Sequence, residues 1–290
     1  MTAPIIMHVN YCEQGQTIEE MCLKAVKWGF DGIEFRRVRR GVAETMEEYL
    51  DAIAVAQRKS GLNYVLFGGP GPDLMTTDAA KREAALAECE RFYTLAGERF
   101  NLTVCNVMSG GLRNPDPSVP ASDYDRQGSF AAQEHHWQQA AEGYRRLGDI
   151  AAKYNYRLAF ETHMNYLHDT PQATRKLVDL IDHPHVGINL DYGNAVYFKG
   201  MASLQETIRL CGDKLYYVHL KNSTANPGGG RIPTALSEGA INQREFVRLL
   251  KQHDYSGPIC IEAPRPGDRE WYAQQDLAYI KSVLADLVME

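Results

Sequence analysis

Short apolar runs of about six residues alternate along the chain with longer segments whose apolar positions recur every three or four residues. The short runs predict eight strands: IIMHVN (5–10), DGIEFR (31–36), LNYVLF (62–67), LTVCNV (102–107), YRLAFE (156–161), VGINLD (186–191), LYYVHL (215–220) and PICIEA (258–263). The longer segments predict helices over 17–29 and about 44–60, 78–100, 129–154, 171–182, 201–212, 242–253 and 270–289. Leu177, Leu180 and Ile181 illustrate the helical spacing. Thr17 and Glu20 stand at capping-box spacing, and Gly29 suits the helix stop.

Eight strand–helix pairs in 290 residues match the ~250-residue scale of a closed (β/α)8 TIM barrel, here one α/β domain over 1–290. A doubly wound open sheet fits less well, because fewer strands are usual there and no G-x-G-x-x-G follows the first strand. Two connections are long: 108–128, rich in Pro, Gly, Ser and Asp, and 222–240, which contains NPGGGRIP. Both follow strands and so lie at the C-terminal mouth of a barrel, as candidate lids.

Composition changes this picture little. At 44% hydrophobic and 23% charged the chain is that of an ordinary soluble protein, and a net charge of −6 argues against a nucleic-acid partner. The one basic run, FRRVRR (35–40), reads as a solvated loop or, less simply, as an anion site. The six cysteines form no C-x-x-C pair and several sit in apolar segments, so reduced buried thiols are expected. The first residues turn polar too soon for a signal peptide, and no stretch approaches the ~18 apolar residues of a membrane span. A cytoplasmic location without a membrane partner is the expectation.

Side chains alternate faces along a strand. In the last four strands the large aliphatic residues Leu158, Phe160, Ile188, Leu190, Val218, Leu220, Ile259 and Ile261 take one face, toward the helices. The opposite, inward set ends in Glu161, Asp191, His219 and Glu262, which are 30, 28 and 43 residues apart and occupy equivalent places on successive strands. Neighbouring strands lie ~4.8 Å apart, so these four can converge. Three carboxylates gathered in a cavity repel one another and lose hydration unless a cation joins them. The oxygen-rich donor set suits one divalent ion, Mn²⁺ first, with Mg²⁺, Co²⁺ or Zn²⁺ as alternatives.

His163 lies two residues beyond Glu161; if the extended backbone continues, the two share a face. One can then bind metal while the other serves as general base. Asn165, next on that face, is placed to hydrogen-bond substrate hydroxyls. His8 and Asn10 share a face at the end of the first strand, as do Glu34 and Arg36 on the second. His8, Arg36, Asn106, Asn165, Lys221 and Arg265 form the candidate substrate-contact set. Trp137, with His135 and His136, stands at a helix start.

The pieces WGFDGIEFR (28–36), AFETH (159–163), GINLDYGN (187–194), YYVHLKN (216–222) and CIEAPRPGD (260–268), in this order, resemble the xylose-isomerase-like superfamily of sugar isomerases and epimerases over essentially the whole chain. The resemblance implies a divalent metal on Glu161, Asp191, His219 and Glu262. It also implies that Glu161 and Glu262 act as the acid–base pair on a keto sugar, or a related polyhydroxy carbonyl compound, through a metal-stabilised enediolate. Ketose 3-epimerases of that family carry further Glu, His and Arg residues at places held here by Leu167, Asn194 and Ala225, while His168 and Arg231 are near but out of register.

Proton abstraction by His163 serves β-elimination equally well. The alternative is therefore a lyase of the same fold, a carbon–oxygen or C-glycoside lyase acting on a 3-keto sugar, a C-glycoside or a dehydroshikimate-type substrate. A DNA-repair enzyme of the related endonuclease IV type would need more metal-binding histidines and a basic face. A non-catalytic sugar-binding barrel would bind without proton exchange. The expected partner is a small carbohydrate, with a homo-oligomer or a small partner subunit left open.

Overall fold

The computed structural model describes residues 3–39, 41–69, 71–227 and 230–289; Arg40 of the basic run, Gly228 and Gly229 of the Gly-rich loop, and the first two residues lie outside them. The strands are β1 (Ile5–His8), β2 (Gly32–Arg36), β3 (Tyr64–Gly68), β4 (Val104–Val107), β5 (Arg157–Glu161), β6 (Val186–Asp191), β7 (Leu215–Leu220), β8 (Ser223–Ala225), β9 (Arg231–Pro233) and β10 (Ile259–Ile261). The helices are α1 (Ile18–Trp28), α2 (Met46–Ser60), α3 (Ala79–Arg99), α4 (Gly128–Ala131), α5 (Glu134–Lys153), α6 (Pro171–Ile181), α7 (Tyr192–Ala195), α8 (Leu204–Cys211), α9 (Gln243–Gln252) and α10 (Arg269–Met289). Eight strands close into a parallel barrel in the order β1-β10-β7-β6-β5-β4-β3-β2. The expected (β/α)8 architecture is what forms, and every apolar run assigned to a strand contributes one.

The periodicities explain the layers. Outward apolar residues such as Leu158, Phe160, Ile188, Leu190, Val218 and Leu220 are buried against the helix ring in one large core. Inside the barrel, Ile6, Leu66, Val104, Ala159, Tyr217 and Cys260 form a second, smaller plug. That plug floors the mouth and leaves the strand ends for polar groups. The α1 cap forms as its sequence predicts, with the Glu20 N–H donating to Thr17 Oγ1 (3.2 Å) and Gly29 left-handed at φ 92°.

Four local expectations change. β1 ends at His8, two residues short of Asn10, and a 3-10 turn follows over Val9–Cys12, capped by His8, whose Nδ1 accepts from the Asn10 N–H (3.1 Å); Asn10 Nδ2 still reaches Glu262 Oε1 (3.3 Å), as His8 does at 3.9 Å. The single helix expected over 129–154 is divided after Ala131, where extended Gln133 caps α5. α7 begins directly at the end of β6, which periodicity alone could not reveal in four residues. The Gly-rich loop contains a hairpin, with Thr224 opposite Ile232 in the antiparallel pair β8–β9.

The basic run is a set of ion pairs: Arg36 with Glu13, Arg37 with Glu88 and Arg39 with Glu44. All six cysteines are buried and free, and burial pushes the Cys12 and Cys22 thiols up to about 12. Among the described residues no helix is long and apolar enough to cross a membrane.

Candidate metal centre

Strand register delivers the four candidate ligands to one level. Asp191 on β6 stands opposite His219 on β7, His219 stands opposite Cys260 on β10, and Glu262 follows two residues later. The Glu262 N–H extends the ladder to the Leu220 carbonyl (2.9 Å), which fixes where its side chain enters the mouth. Glu161, Asp191, His219 and Glu262 each offer a donor atom, and all four atoms lie within 4.8 Å of one another. His219 presents Nδ1 to this group, 2.9 Å from Glu262 Oε2 and 4.0 Å from Glu161 Oε2. Three carboxylates and one imidazole nitrogen at this spacing fit a hard divalent cation.

Lys221, two residues past His219, reaches into the same cluster. Its Nζ lies 2.6 Å from Asp191, 3.2 Å from Glu262 and 3.6 Å from Glu161. Burial alone would favour neutral forms throughout. For Glu161 that penalty is overcome by Lys221 and His219, which hold its carboxyl at about 2. Glu262 is likewise held well below the usual range against its burial, by Lys221, His8 and His219. For Asp191 burial wins, aided by the charges of Glu161 and Glu262, and its carboxyl rises to about 7 despite Lys221. Burial is the larger cause and the charges of Glu161 and Glu262 add to it, so a cation among these carboxylates would offset both lost hydration and repulsion.

The carboxylates are aimed by amides. Asn106 Nδ2 donates to Glu161 Oε2 (2.7 Å) and Asn189 Nδ2 donates to Asn106 Oδ1 (3.1 Å). Asn194 on α7 donates from Nδ2 to both Glu161 Oε1 and Asp191 Oδ2, each at 2.9 Å, and from its backbone to Asp191 Oδ1 (3.1 Å). Arg231 on β9 caps this arrangement, donating to Asn194 Oδ1 (2.9 Å) and the Gly193 carbonyl (2.8 Å). Asn194 and Arg231 therefore meet in space although both fall outside the epimerase pattern. A cavity of about 170 Å³ opens beside Lys221, Ser223, Arg231 and Glu262. It lies below the ~300 Å³ lower end for drug-sized ligands and so suits a compact molecule.

His163 lies within the field of Glu161, Lys221 and Glu262, but β5 ends at Glu161 and does not carry the extended backbone through it. Thr162 still donates to the Asn189 carbonyl (3.0 Å), and the chain then turns through Asn165, which is left-handed at φ 66°. The Asn165 carbonyl accepts from the Leu112 N–H (2.8 Å) and Tyr166 bridges to Gly111, so this turn anchors the 108–128 loop. His163 Nδ1 lies 2.9 Å from the Met164 carbonyl, which places the ring proton there and the lone pair on Nε2. Burial lowers its pKa against the field of Glu161, keeping the imidazole neutral. His168 turns the other way, its ring bonding the Glu161 carbonyl (2.5 Å) and accepting from the Ser109 N–H (3.2 Å).

Of the remaining candidates, His8 lies 3.7 Å from Glu34 and 3.9 Å from Glu262. Arg36 is bound by Glu13 at the rim, and Arg265 is drawn to Asp276 (2.9 Å) and over the Tyr272 ring. Trp137 packs in the core beneath Lys176. Glu34, Tyr217, Asn189 and Asn194 are central here although residue patterning alone lends them little weight; the inward positions of the first three on β2, β7 and β6 are the available signal.

Asp169, near the mouth, allows a test of burial. Desolvation raises its carboxyl from 3.8 to about 7, one oxygen accepting from the Ser129 N–H (3.0 Å) and Oδ1 buried without a partner. Below pH 3.8 both folded and unfolded states are protonated and no penalty exists. As pH rises the unfolded chain ionises first, so the penalty grows until about 7. Asp169→Asn is therefore expected to gain on the order of 1–3 kcal/mol at pH 8 and almost nothing at pH 4. Melting curves of both chains at the two pH values check this; an equal gain at both would refute it.

A closed barrel whose C-terminal mouth carries a carboxylate–imidazole cluster is the architecture of metal-centred (β/α)8 proteins. The family model for the xylose isomerase-like TIM barrel matches residues 22–283, and this chain belongs to that family. Inosose dehydratase from Bacillus velezensis is 30% identical over 172 residues, 53% of this chain and 56% of that protein. The chain thus matches about half the length of such curated relatives. A xylose isomerase-like TIM barrel protein from Mycobacterium smegmatis, solved in complex with magnesium, superposes with a TM-score of 0.76 at 22% identity, covering 98% of this chain and 97% of that one. D-psicose 3-epimerase, solved in the presence of D-fructose, superposes with a TM-score of 0.76 at 19% identity, covering 97% and 99%. At these identities the superpositions speak for the fold.

Proposed function

We propose that this chain is a divalent-metal-dependent lyase that removes water from a small polyhydroxy ketone, beginning with loss of the proton next to the carbonyl. The observation that carries the reading is His163, with Nδ1 at the Met164 carbonyl, Nε2 left as the lone-pair nitrogen, and the ring within the electrostatic field of Glu161, Lys221 and Glu262. An ion held by Glu161, Asp191, His219 and Glu262 would polarise the carbonyl and favour negative charge on its oxygen. His163 Nε2 takes the proton from the α-carbon. The C–H electron pair moves toward the carbonyl oxygen, where the Lys221 ammonium, kept charged by Asp191 and Glu262, offsets it. The pair then returns to expel the β-hydroxyl, to which His163 gives back its proton. Atoms balance as the loss of one water, with no redox change.

One acid–base group suffices for this sequence. Epimerisation needs a proton donor on the opposite face of the same carbon. The partial match to inosose dehydratase supports a cyclic polyol ketone as substrate class. Leu167, Asn194 and Ala225, at three places where ketose 3-epimerases differ, point the same way. A second reading, isomerase or epimerase, draws support from Glu161 and Glu262, two carboxylates that approach the centre from β5 and from the end of β10.

The test is incubation of the Mn²⁺-loaded protein in D₂O with a keto-inositol and, separately, with ketohexoses. Loss of water from the keto-inositol is expected. Deuterated ketose recovered as a new isomer, without water loss, would instead establish the second reading. Neither exchange nor water loss with any bound ketone would reduce the chain to a binding module.

A further inference from the structure

Glu34 is a fully buried carboxylate that the proposed reaction does not use. It projects into the barrel from β2, with no exposed side-chain surface. Its Oε2 lies 2.9 Å from His219 Nε2 and accepts from the Tyr217 hydroxyl at 2.6 Å. Its Oε1 lies 3.5 Å from Asn106 Nδ2 and 3.7 Å from His8 Nε2. The cradle is shaped for it: a Cβ at Gly68 on β3 would come within 1.9 Å of Oε1, so only glycine leaves room for the carboxylate. An ionised group so deep in a barrel is costly unless each oxygen is bonded, and here both are.

The imidazole of His219 stands between two sets of groups. Nδ1 faces the cluster of Glu161, Asp191 and Glu262, while Nε2 faces Glu34. Only a nitrogen without a proton can bind a metal ion, so ligation through Nδ1 requires the remaining ring proton on Nε2. A cation seated among Glu161, Asp191 and Glu262 would displace any proton that Nδ1 shares with Glu262 Oε2 at 2.9 Å, and the Glu34 carboxylate, also at 2.9 Å, then holds the Nε2 proton in place. The opposite tautomer would set the Nε2 lone pair against the Glu34 oxygen. The second hydrogen bond, from Tyr217, keeps Oε2 aimed at the ring rather than free to rotate. We propose that Glu34, oriented by Tyr217 and given room by Gly68, is a positioning residue that fixes the Nδ1-binding tautomer of His219 and so sets the metal affinity of the mouth. This rests on the metal-centre reading above.

The test uses the full chain stripped of metal and titrated calorimetrically with MnCl₂. Glu34→Gln is expected to weaken Mn²⁺ binding 10–100-fold, the usual range for loss of a partner behind a ligand. In the Mg²⁺-loaded, ring-¹⁵N-histidine-labelled protein, the wild type should show a slowly exchanging Nε2–H resonance for His219, which Glu34→Gln shifts or removes. That resonance reports the tautomer, which a merely structural role of Glu34 would leave unmoved. Tyr217→Phe, which keeps the ring and loses only the hydroxyl, should weaken Mn²⁺ binding by a smaller factor, and it decides the matter alone should Glu34→Gln fail to fold. Mn²⁺ affinity within twofold of wild type, with the Nε2–H resonance unchanged, overturns the positioning role and leaves the metal centre standing. A wild-type chain that takes up no Mn²⁺ overturns the centre itself, and the positioning role with it.

Discussion

Glu262→Gln is expected to release bound metal and to lower kcat/KM by about 10³-fold or more, the scale of losing a cation that polarises the carbonyl. The change is nearly isosteric, so the effect is one of charge. Glu262 Oε2 sits 2.9 Å from His219 Nδ1 and 3.2 Å from Lys221 Nζ, while Oε1 accepts from Asn10 Nδ2 at 3.3 Å. A carboxamide there turns an NH₂ toward the Lys221 ammonium or the Asn10 amide, which already donate, and removes one of the negative charges that draw a cation to the mouth. Stability should move the other way or hardly at all, because one carboxylate fewer removes part of the negative charge that adds to burial in raising Asp191. Metal content after dialysis, steady-state rates and a melting curve on one preparation separate these effects. Retained metal together with unimpaired turnover would remove Glu262 from the site.

The second large effect is expected from His163→Ala, with kcat falling about 10²- to 10⁴-fold and metal content unchanged. His163 is not among the four converging donors, and its Nδ1 is engaged by the Met164 carbonyl. Truncation therefore takes away the proposed base without touching a candidate ligand. The neighbouring turn should survive, since it is held through the backbone of Asn165 and by the Gly111–Tyr166 bridge. Under the lyase reading, deuterium exchange at the α-carbon and loss of water should fall together, because one imidazole serves both. If exchange persists while water loss stops, His163 acts only on the leaving hydroxyl and another group takes the α-proton. Full activity in this variant would end the proposal that His163 is the base.

These two variants act on different parts of the mouth and so test the centre and the base separately. Lys221 links them. Its ammonium contacts three of the four candidate ligands, and its charge bears on both Glu161 and His163. A stem long enough to reach from β7 into the cluster explains why a residue two places past His219 ends among the carboxylates of β5 and β6.

The alternation of faces in the last four strands was enough to find Glu161, Asp191, His219 and Glu262, because a period of two assigns each strand residue to the barrel interior or the helix layer without further information. The same logic placed the aliphatic core and the order of strands and helices. It worked less well where the backbone leaves regular geometry. Asn165 was expected to continue the face of Glu161, but a left-handed residue there turns the chain to hold the 108–128 loop. β1 likewise stops at His8, where a 3-10 turn takes over, although Asn10 still reaches Glu262 Oε1 beside His8.

What the chain's pattern alone settled was which residues face inward at the C-terminal ends of β5, β6, β7 and β10, since that depends on local periodicity and the count of strand–helix units. Partnership across the barrel was beyond it. That Glu34 meets His219 and Tyr217, that Asn194 bonds two carboxylates, and that Arg231 folds back onto Asn194 follow from strand register, from the closure of β1 against β10 and from the path of the β8–β9 hairpin. Those contacts span up to 185 residues of sequence. Their distances are set by how eight strands stagger around one axis, a property of the closed sheet that no single segment contains.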